Sequence, residues 1–394
     1  ETAFLNLGDL IHTNLPKGQL NDLIVNGLIA GVSGVVMFIP QIAFLFMFIG
    51  FLEDSGYMAR ASFIMDKIMR KFGLNGKSVI PLISGTACAV PAIMATRAIS
   101  NTKERLITVF ILPLISCSAR LPVYTLLISV MYPSSKFLGI FNSKGLVLLL
   151  LYLLGFIVTL LTAWVLKRIL KTKENSFYVM ELPVYRWPQA KNIGLMVFSK
   201  VKVFIKEAGK IILAISVVLW FLSTHGATDK FETLKTEQKV LENNTISEEN
   251  SVALKNIESQ KLEQSYIGQF GQFIEPSIKP LGYDWKIGIA LITSFAAREV
   301  FVGTMATIYQ ANDSEKDIGI KQKLLVEKDD NGILKYTPAV CWSLLLFYAF
   351  ALQCMSTIAV VKRETKSWKW VIVQFAFMSV LAYLSAFGAY QLLS

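Results

Sequence analysis

The chain has 394 residues, of which 54% are hydrophobic and 12% aromatic, and its formal net charge is +11. This composition lies outside that of ordinary soluble domains and indicates a membrane protein. The basic residues stand mainly in short stretches between apolar blocks, so the positive-inside rule explains the charge and no nucleic-acid binding is expected. The four cysteines form no CxxC pair and no zinc-finger spacing, which argues against a disulfide framework.

Apolar blocks follow one another after a pre-membrane segment at 1–27, which lacks the pattern of a signal peptide. Blocks of about 20 apolar residues match the hydrocarbon thickness of a bilayer. Strong blocks lie at 28–51, 145–166, 204–223, 338–361 and 370–393, a block at 106–131 is interrupted by Pro113, Arg120 and Pro122, and weaker blocks lie at 78–96 and 287–309. We therefore expect an all-α, polytopic transmembrane protein.

The distribution of charge predicts a topology. The segment 52–77 and the residues after block 145–166 are basic and are expected in the cytoplasm, whereas loop 224–285 has six lysines against ten acids and is expected outside. The two weak blocks must then enter and leave the membrane on the same side. Each half of the chain reads as a helix, a re-entrant segment and two more helices, and the halves run in opposite directions, which is a recurring plan of transporters.

This plan divides the chain into five parts. They are the pre-membrane segment 1–27, a first repeat at 28–173, a connector with an amphipathic segment and the first helix of the second repeat at 174–223, a polar outward-facing loop at 224–285, and the remainder of the second repeat with the C-terminal helices at 286–394.

A short internal similarity supports the inverted repeats. Aligning AIMAT at 92–96 with GTMAT at 303–307 places Met94 on Met305, and the same register places Cys88 on Glu299. Cys88 lies in GTACAVPAIMATR, where glycine and proline loosen the helical hydrogen bonding, so it is either a packing residue beside a kink or a ligand facing a wet path. A thiolate and a carboxylate from opposite repeats would suit a borderline divalent cation. Because Glu299 follows Arg298 directly, its other interpretation is a local ion pair near an interface.

Further candidate ligands stand in polar surroundings within apolar blocks. Cys117 lies in SCSAR beside Arg120, an intramembrane charge that either neutralises a carboxylate or holds the fold. Cys354 has polar and soft neighbours, including Met355, whereas Cys341 is expected to be a packing residue. Met94, Met305 and Met355 are weaker candidates as soft ligands.

Two acids at the end of the first apolar block are either a helix terminus or part of a charged vestibule that concentrates cations. They are Glu53 and Asp54.

Six ordered motifs then carry a resemblance that covers the chain from about residue 21 to its end. They are FIPQIAFLFMFIGFLEDSGYMARASFIMDKIMRKFGLNGKS, GTACAVPAIMATR, SCSARLPVY, VFIKEAGKIIL, FAAREVFVGT and FALQCMSTIAVVKRET. Together they resemble the membrane (gate) domain of the bacterial ferrous iron transport protein B family, FeoB.

The resemblance implies two gate-type repeats in a multi-pass protein of the bacterial inner membrane, with Fe2+ as the transported substrate and no permanently bound cofactor. It implies that Cys88, Cys117 and Cys354 match family cysteines and that Glu299 matches the family acid. The family also carries a cytosolic GTP-binding domain and a first membrane helix upstream, which this sequence lacks, so no enzyme activity is expected of this chain. Implied partners are that GTP-binding domain, small accessory Feo proteins and further copies of the chain.

One position departs from the family pattern. The family often has Gly-Cys-Asn-Val-Pro where this chain has Ala87-Cys88-Ala89-Val90-Pro91, which removes an amide oxygen from the first repeat. Two other functions remain open from the residues alone. One is transport of an organic solute such as a nucleoside. The other is a membrane thiol enzyme that uses Cys88 and Cys117, although no histidine stands near either cysteine in the sequence to act as a base.

Overall fold

The structure is a computed structural model. It describes residues 21, 23–132, 136–137, 141–170, 185–226, 233–234, 236–237, 257, 260–261, 263–295, 298, 300–309, 316–327, 334–352 and 354–394. Most of the pre-membrane segment, much of loop 224–285 and the candidate ligand Glu299 therefore lie outside the described residues.

Within its described residues, the first half of the chain has seven α-helices and a small hairpin. A π-helical turn at Leu23–Ile29 leads into α1 (Ala30–Asp54), which is followed by α2 (Tyr57–Met69), α3 (Val79–Ala87), α4 (Ala89–Ala95), α5 (Thr102–Ile111), α6 (Leu121–Met131), β1 (Lys136–Phe137), β2 (Phe141–Asn142) and α7 (Ser143–Ile169). The two strands pair antiparallel, with Phe137 opposite Phe141.

The second half begins with an amphipathic helix and a π-helical turn. Its elements are α8 (Ala190–Phe204), the turn Ile205–Gly209, α9 (Lys210–Thr224), α10 (Tyr266–Ile278), α11 (Trp285–Thr293), α12 (Val300–Ile308), α13 (Lys316–Val326), α14 (Pro338–Phe350), α15 (Met355–Thr365) and α16 (Trp368–Leu393).

Four helices among the described residues are long and apolar enough to cross a membrane, counting the broken paths Thr102–Met131 and Pro338–Thr365 as one helix each. A fifth path is a pair of helices, Ile39–Asp54 and Tyr57–Phe72, that meet at 83°, and Lys210–Thr224 is a shorter apolar helix. The prediction of an all-α, multi-pass membrane protein is therefore confirmed, with β1 and β2 as a minor addition. The outer side of α7 exposes Leu149, Leu150 and Leu153, as expected of a helix that faces lipid.

The two halves share an order of elements. Each has an apolar helix, a helix of 13 residues (α2 or α10), a pair of half-helices with a break (α3 and α4, or α11 and α12), a second broken pair (α5 and α6, or α14 and α15) and a long apolar helix. The five predicted boundaries and the opposite direction of the two halves stay predictions.

Matching turns precede the first half-helices. Gly73 has a φ of 80° and Gly282 a φ of 79°. Two residues later, Asn75 accepts a hydrogen bond from the Lys77 backbone N–H, and Asp284 accepts one from the Ile287 N–H, so each side chain caps the helical turn that follows.

The register of the half-helices agrees with the internal similarity of the sequence. In that register, the alignment of Met94 with Met305 also aligns the start of α4 at Ala89 with the start of α12 at Val300. The glycine turns align differently. Gly73 and Gly282 are two residues closer in sequence than Met94 and Met305 are. The segment from the glycine turn to the start of the second half-helix is therefore two residues longer in the second half, from Gly282 to Val300, than in the first, from Gly73 to Ala89.

One predicted helix is wrong in its continuity. The block 338–361 was expected as a single helix, but α14 ends at Phe350 and α15 begins at Met355. The chain between them is extended at Ala351 and Cys354. No glycine or proline marks this break, which is why the apolar pattern conceals it.

Two large apolar cores among the described residues hold the halves together. One contains Leu291, Phe301 and Tyr348 with parts of α6, and the other contains Ile93, Ile111 and parts of α14 to α16. The two halves are also joined by ion pairs. The buried carboxylate of Glu364 in α15 accepts hydrogen bonds from both Arg97 and Arg105. This ion-pair network joins the first half of the chain to the second.

We predict that Gly73→Ala and Gly282→Ala each destabilise the fold by about 1–3 kcal/mol, because an L residue at these φ angles is strained. A Cβ would also lie 2.6 Å from the Lys167 Cβ in the first case and 2.5 Å from a Tyr390 ring carbon in the second. Thermal unfolding of the purified protein in detergent measures the loss. Gly145→Ala is the matched control, because no atom lies within 4 Å of its added Cβ; an equal loss in this control would contradict the account.

Candidate functional site

Three of the four cysteines stand at helix breaks. Cys88 separates α3 from α4 with φ −154° and ψ 129°, and Cys354 precedes α15 with φ −156° and ψ 106°. Cys117 precedes a 3-10 turn at Ser118–Arg120 that continues into α6. Each cysteine is therefore the last extended residue before the second half of a broken helix.

Prolines explain the two breaks of the first half. Pro91 has no N–H to donate to the Ala87 carbonyl four residues earlier, and Pro113 has none for the Val109 carbonyl. The Ser118 hydroxyl donates to the Ala87 oxygen at 2.9 Å, and the Gln374 amide donates to the Val109 oxygen at 3.2 Å. Side chains from elsewhere in the fold thus supply the missing donors.

The three cysteines line one cavity. Its wall also contains residues of α1, the end of α8, α9 and all three breaks, and the full lining is Gln41, Ile42, Leu45, Ala87, Cys88, Ala89, Val90, Pro113, Ile115, Cys117, Ser118, Ala119, Phe204, Ile212, Arg298, Cys354, Ser356 and Thr357. The cavity therefore lies where segments from both halves of the chain meet, as expected for the substrate site of a transporter built from repeats.

Hydroxyl and amide groups add polarity to this mainly apolar wall. Gln41 in α1 donates to the Ser118 hydroxyl, which in turn donates to the Ala87 carbonyl. Ser356 and Thr357 lie in the first turn of α15. Sequence reasoning missed Gln41 and Thr357, because a single polar residue in an apolar block has no local signature.

Arg120 is fully buried but does not line the cavity. Its guanidinium donates to the Pro113 carbonyl at 3.1 Å, the Leu114 carbonyl at 3.4 Å and the Ser116 hydroxyl at 3.3 Å. These carbonyls belong to the last turn before the break. Of the two predicted roles, the structure supports that of holding the fold.

Arg298 is a site residue that sequence reasoning missed. The sequence suggests only a local ion pair with Glu299, which lies outside the described residues. Arg298 is 6% exposed and lines the cavity. Its Nη1 lies 3.7 Å from the Cys117 sulfur, and its Nη2 donates to the Ala351 carbonyl at 3.3 Å. A fixed positive charge thus stands beside one of the candidate ligands.

The other candidate ligands are less well placed. Met94 packs against one apolar core, Met305 is buried in the other and Met355 is 41% exposed, and none of the three lines the cavity. Cys341 is buried in a core, as expected. Glu299 lies outside the described residues, and among those described no group of three or more His, Cys, Asp or Glu side chains is arranged to hold a metal ion.

The two vestibule candidates differ from one another. Glu53 is exposed, but the Asp54 carboxylate accepts a hydrogen bond from Arg186 at 2.9 Å and another from the Gln189 N–H at 2.6 Å. Asp54 therefore anchors the start of α8, and its charge is balanced by Arg186. The prediction of a vestibule rests more on Glu53 than on Asp54.

We predict that Arg120→Ala lowers the free energy of unfolding by about 3 kcal/mol or more, because three buried acceptors lose a charged donor. Arg120→Lys should lose less, since an ammonium group keeps the charge but cannot span the carbonyls as a guanidinium does. Thermal unfolding in detergent ranks the variants, and an alanine variant as stable as the parent would show that other donors satisfy these carbonyls.

Comparisons with known proteins identify the family. The family model of Gate, described as nucleoside recognition, matches residues 35–131 and 205–368. The model of the ferrous iron transport protein B C terminus matches residues 148–200, which covers most of α7 and much of α8. No solved structure matches this chain.

Several relatives are named Fe(2+) transporter FeoB. The protein of Leptospira interrogans is 47% identical over 391 residues, which are 99% of this chain and 54% of the relative. That of Staphylococcus aureus is 39% identical over 378 residues, which are 94% of this chain and 49% of the relative.

A relative in Porphyromonas gingivalis is named an Fe(2+) transport protein A/Fe(2+) transporter FeoB fusion protein and is 38% identical over 98% of this chain and 46% of its own length. The chain thus spans about half the length of these relatives. The chain belongs to the Gate family and, within it, to the FeoB proteins, of which it matches the C-terminal membrane part.

Proposed function

We propose that this chain carries ferrous iron across a membrane through the cavity lined by Cys88, Cys117 and Cys354. The observation that carries the proposal is that three breaks, distant in sequence, bring their cysteines to one cavity between the two halves. Relatives that match almost the whole chain are named Fe(2+) transporters, which supports iron as the substrate.

Sulfur ligands suit this substrate. Fe2+ is a borderline cation that binds thiolate and imidazole, whereas Mg2+ and Ca2+ prefer oxygen. A transport path must hold its ion weakly enough to release it. Cysteines that line a cavity together with Ser118 and Ser356 offer successive partial coordination rather than a closed four-thiolate site.

Glu299 is proposed as a further ligand on the register of the sequence alone. In that register Cys88 and Glu299 both immediately precede the second half-helix of a broken pair, α4 or α12. A carboxylate in this position would add a hard oxygen donor to the thiols. Met94, Met305 and Met355 are not included in the proposed path.

The wider setting is proposed from the relatives. We infer a multi-pass protein of the bacterial inner membrane that works with a GTP-binding domain, with small accessory Feo proteins and in a homo-oligomer. The fusion of Fe(2+) transport protein A to FeoB in one relative supports the accessory partner. We infer no enzyme activity in these helices and no permanently bound cofactor, because Fe2+ passes through as substrate.

Nucleoside transport is the second candidate, because the Gate family model is described as nucleoside recognition. A nucleoside site needs polar groups that pair with a base and a ribose, and thiols are poor at both. Flux of radiolabelled Fe2+ and of a labelled nucleoside into the same proteoliposomes separates the two functions. Uptake of the nucleoside without Fe2+ would contradict the proposal.

We predict that Cys88→Ser, Cys117→Ser and Cys354→Ser each reduce Fe2+ flux by about tenfold or more, because each removes a soft ligand while keeping a side chain of similar size. Cys341→Ser is the matched control, because Cys341 is buried in an apolar core and does not line the cavity. It should retain flux per folded molecule. Normal Fe2+ flux in all three cavity variants would contradict the proposal that iron passes along these cysteines.

A further inference from the structure

Arg298 brings a positive charge into a cavity that we assign to a cation. Among the described residues that line the cavity, it is the one charged side chain. A guanidinium remains protonated in proteins and cannot be neutralised by losing its proton. Its charge therefore opposes the entry of any metal ion as long as it stays in this position.

Two of the contacts that this guanidinium makes with described residues differ in kind. Nη2 donates to the Ala351 carbonyl, the first non-helical residue after α14, and so occupies an acceptor at the broken end of that helix. Nη1 points to the Cys117 sulfur from the opposite half of the chain. The first contact is structural, whereas the second places a cation on a candidate metal ligand.

Arg120 shows that the structural contact does not require a place in the cavity. It also donates to carbonyls at the end of a half-helix, but it is enclosed by protein and does not line the cavity. A hydrogen bond to the Ala351 carbonyl therefore does not by itself explain why Arg298 lines the cavity.

We propose that Arg298 is a specificity-determining residue, a tethered cation that competes with the transported metal for Cys117. This inference rests on the proposed function. A metal that reaches Cys117 must displace Nη1 from the sulfur, while the Ala351 contact can keep the arginine tethered. Fe2+ gains metal–sulfur bonds in this exchange, whereas Mg2+ sheds its water reluctantly and gains little from sulfur. The arginine thus favours soft and borderline ions over the hard ions that are far more abundant.

The electrostatic part can be tested without transport. In a background with Cys88, Cys341 and Cys354 replaced by serine, Cys117 is the remaining thiol and is modified with an anionic or a cationic methanethiosulfonate. Both reagents react with the thiolate, so the ratio of their rates at one pH does not depend on the fraction of thiolate. The ratio therefore reports the local charge at Cys117. We expect the anionic reagent to react faster in the Arg298 parent, and the ratio to fall at least tenfold in Arg298→Gln and to change less than about threefold in Arg298→Lys.

A neutral methanethiosulfonate serves as the control for access to the thiol. Equal ratios in the parent and in Arg298→Gln, at unchanged neutral rate, would overturn the proposal. If Arg298→Gln does not fold, the parent itself decides, because a faster reaction with the cationic reagent would overturn the proposal without any substitution at this position.

The selectivity part is measured as flux in proteoliposomes containing the native protein. Arg298→Gln should lower the ratio of Fe2+ to Mg2+ flux at least tenfold, and Arg298→Lys should restore much of it. An unchanged ratio with intact Fe2+ flux would overturn the role of Arg298 and leave the proposed function standing. Absence of Fe2+ flux in the parent would overturn the proposed function, and with it the selectivity role, while the reagent ratio still reports the charge at Cys117.

Discussion

The rest of the structure depends on one constraint, namely that a helix broken inside an apolar slab must find partners for the backbone groups that the break releases. The described residues satisfy this constraint with side chains from distant segments. Ser118 serves the Ala87 carbonyl, Gln374 serves Val109, and Arg120 serves Pro113 and Leu114. In the second half, one break serves the other, because the Met355 N–H donates to the Phe295 carbonyl at 3.1 Å.

These hydrogen bonds determine where the cavity lies and what lines it. Since each break is held by a side chain or a backbone group from another segment, the breaks of both halves are drawn together. At three of these breaks, the extended residue before the second half-helix is a cysteine that lines the common cavity. The same need for donors brings Arg298 to the Ala351 carbonyl, and so places a positive charge beside Cys117. The site and the scaffold are therefore parts of one hydrogen-bonding arrangement.

The sequence predicts features that have a local cause. Apolar length identifies α1, α7, α9 and α16, and glycine or proline identifies the breaks at Cys88 and Cys117. The break at Cys354 contains neither residue, so a continuous helix was expected there. It is stabilised by hydrogen bonds from Met355 to Phe295 and from Arg298 to Ala351, which are distant in sequence. The place of Arg298 in the cavity has no signal in the sequence, because it depends on how α11, α14 and the breaks pack. Asp54 was likewise considered for a vestibule, because its ion pair with Arg186 joins residues that are far apart in sequence.

The most direct measurement of the central claim is the position of bound iron. Crystals of the protein loaded with Fe2+ under reducing conditions can be measured on both sides of the iron absorption edge. The account predicts an anomalous difference peak in the cavity, within bonding distance of the sulfur of Cys88, Cys117 or Cys354, and loss of that peak when the three cysteines are replaced by serine. A peak elsewhere in the membrane region, or one in the cavity that survives the triple replacement, would contradict it.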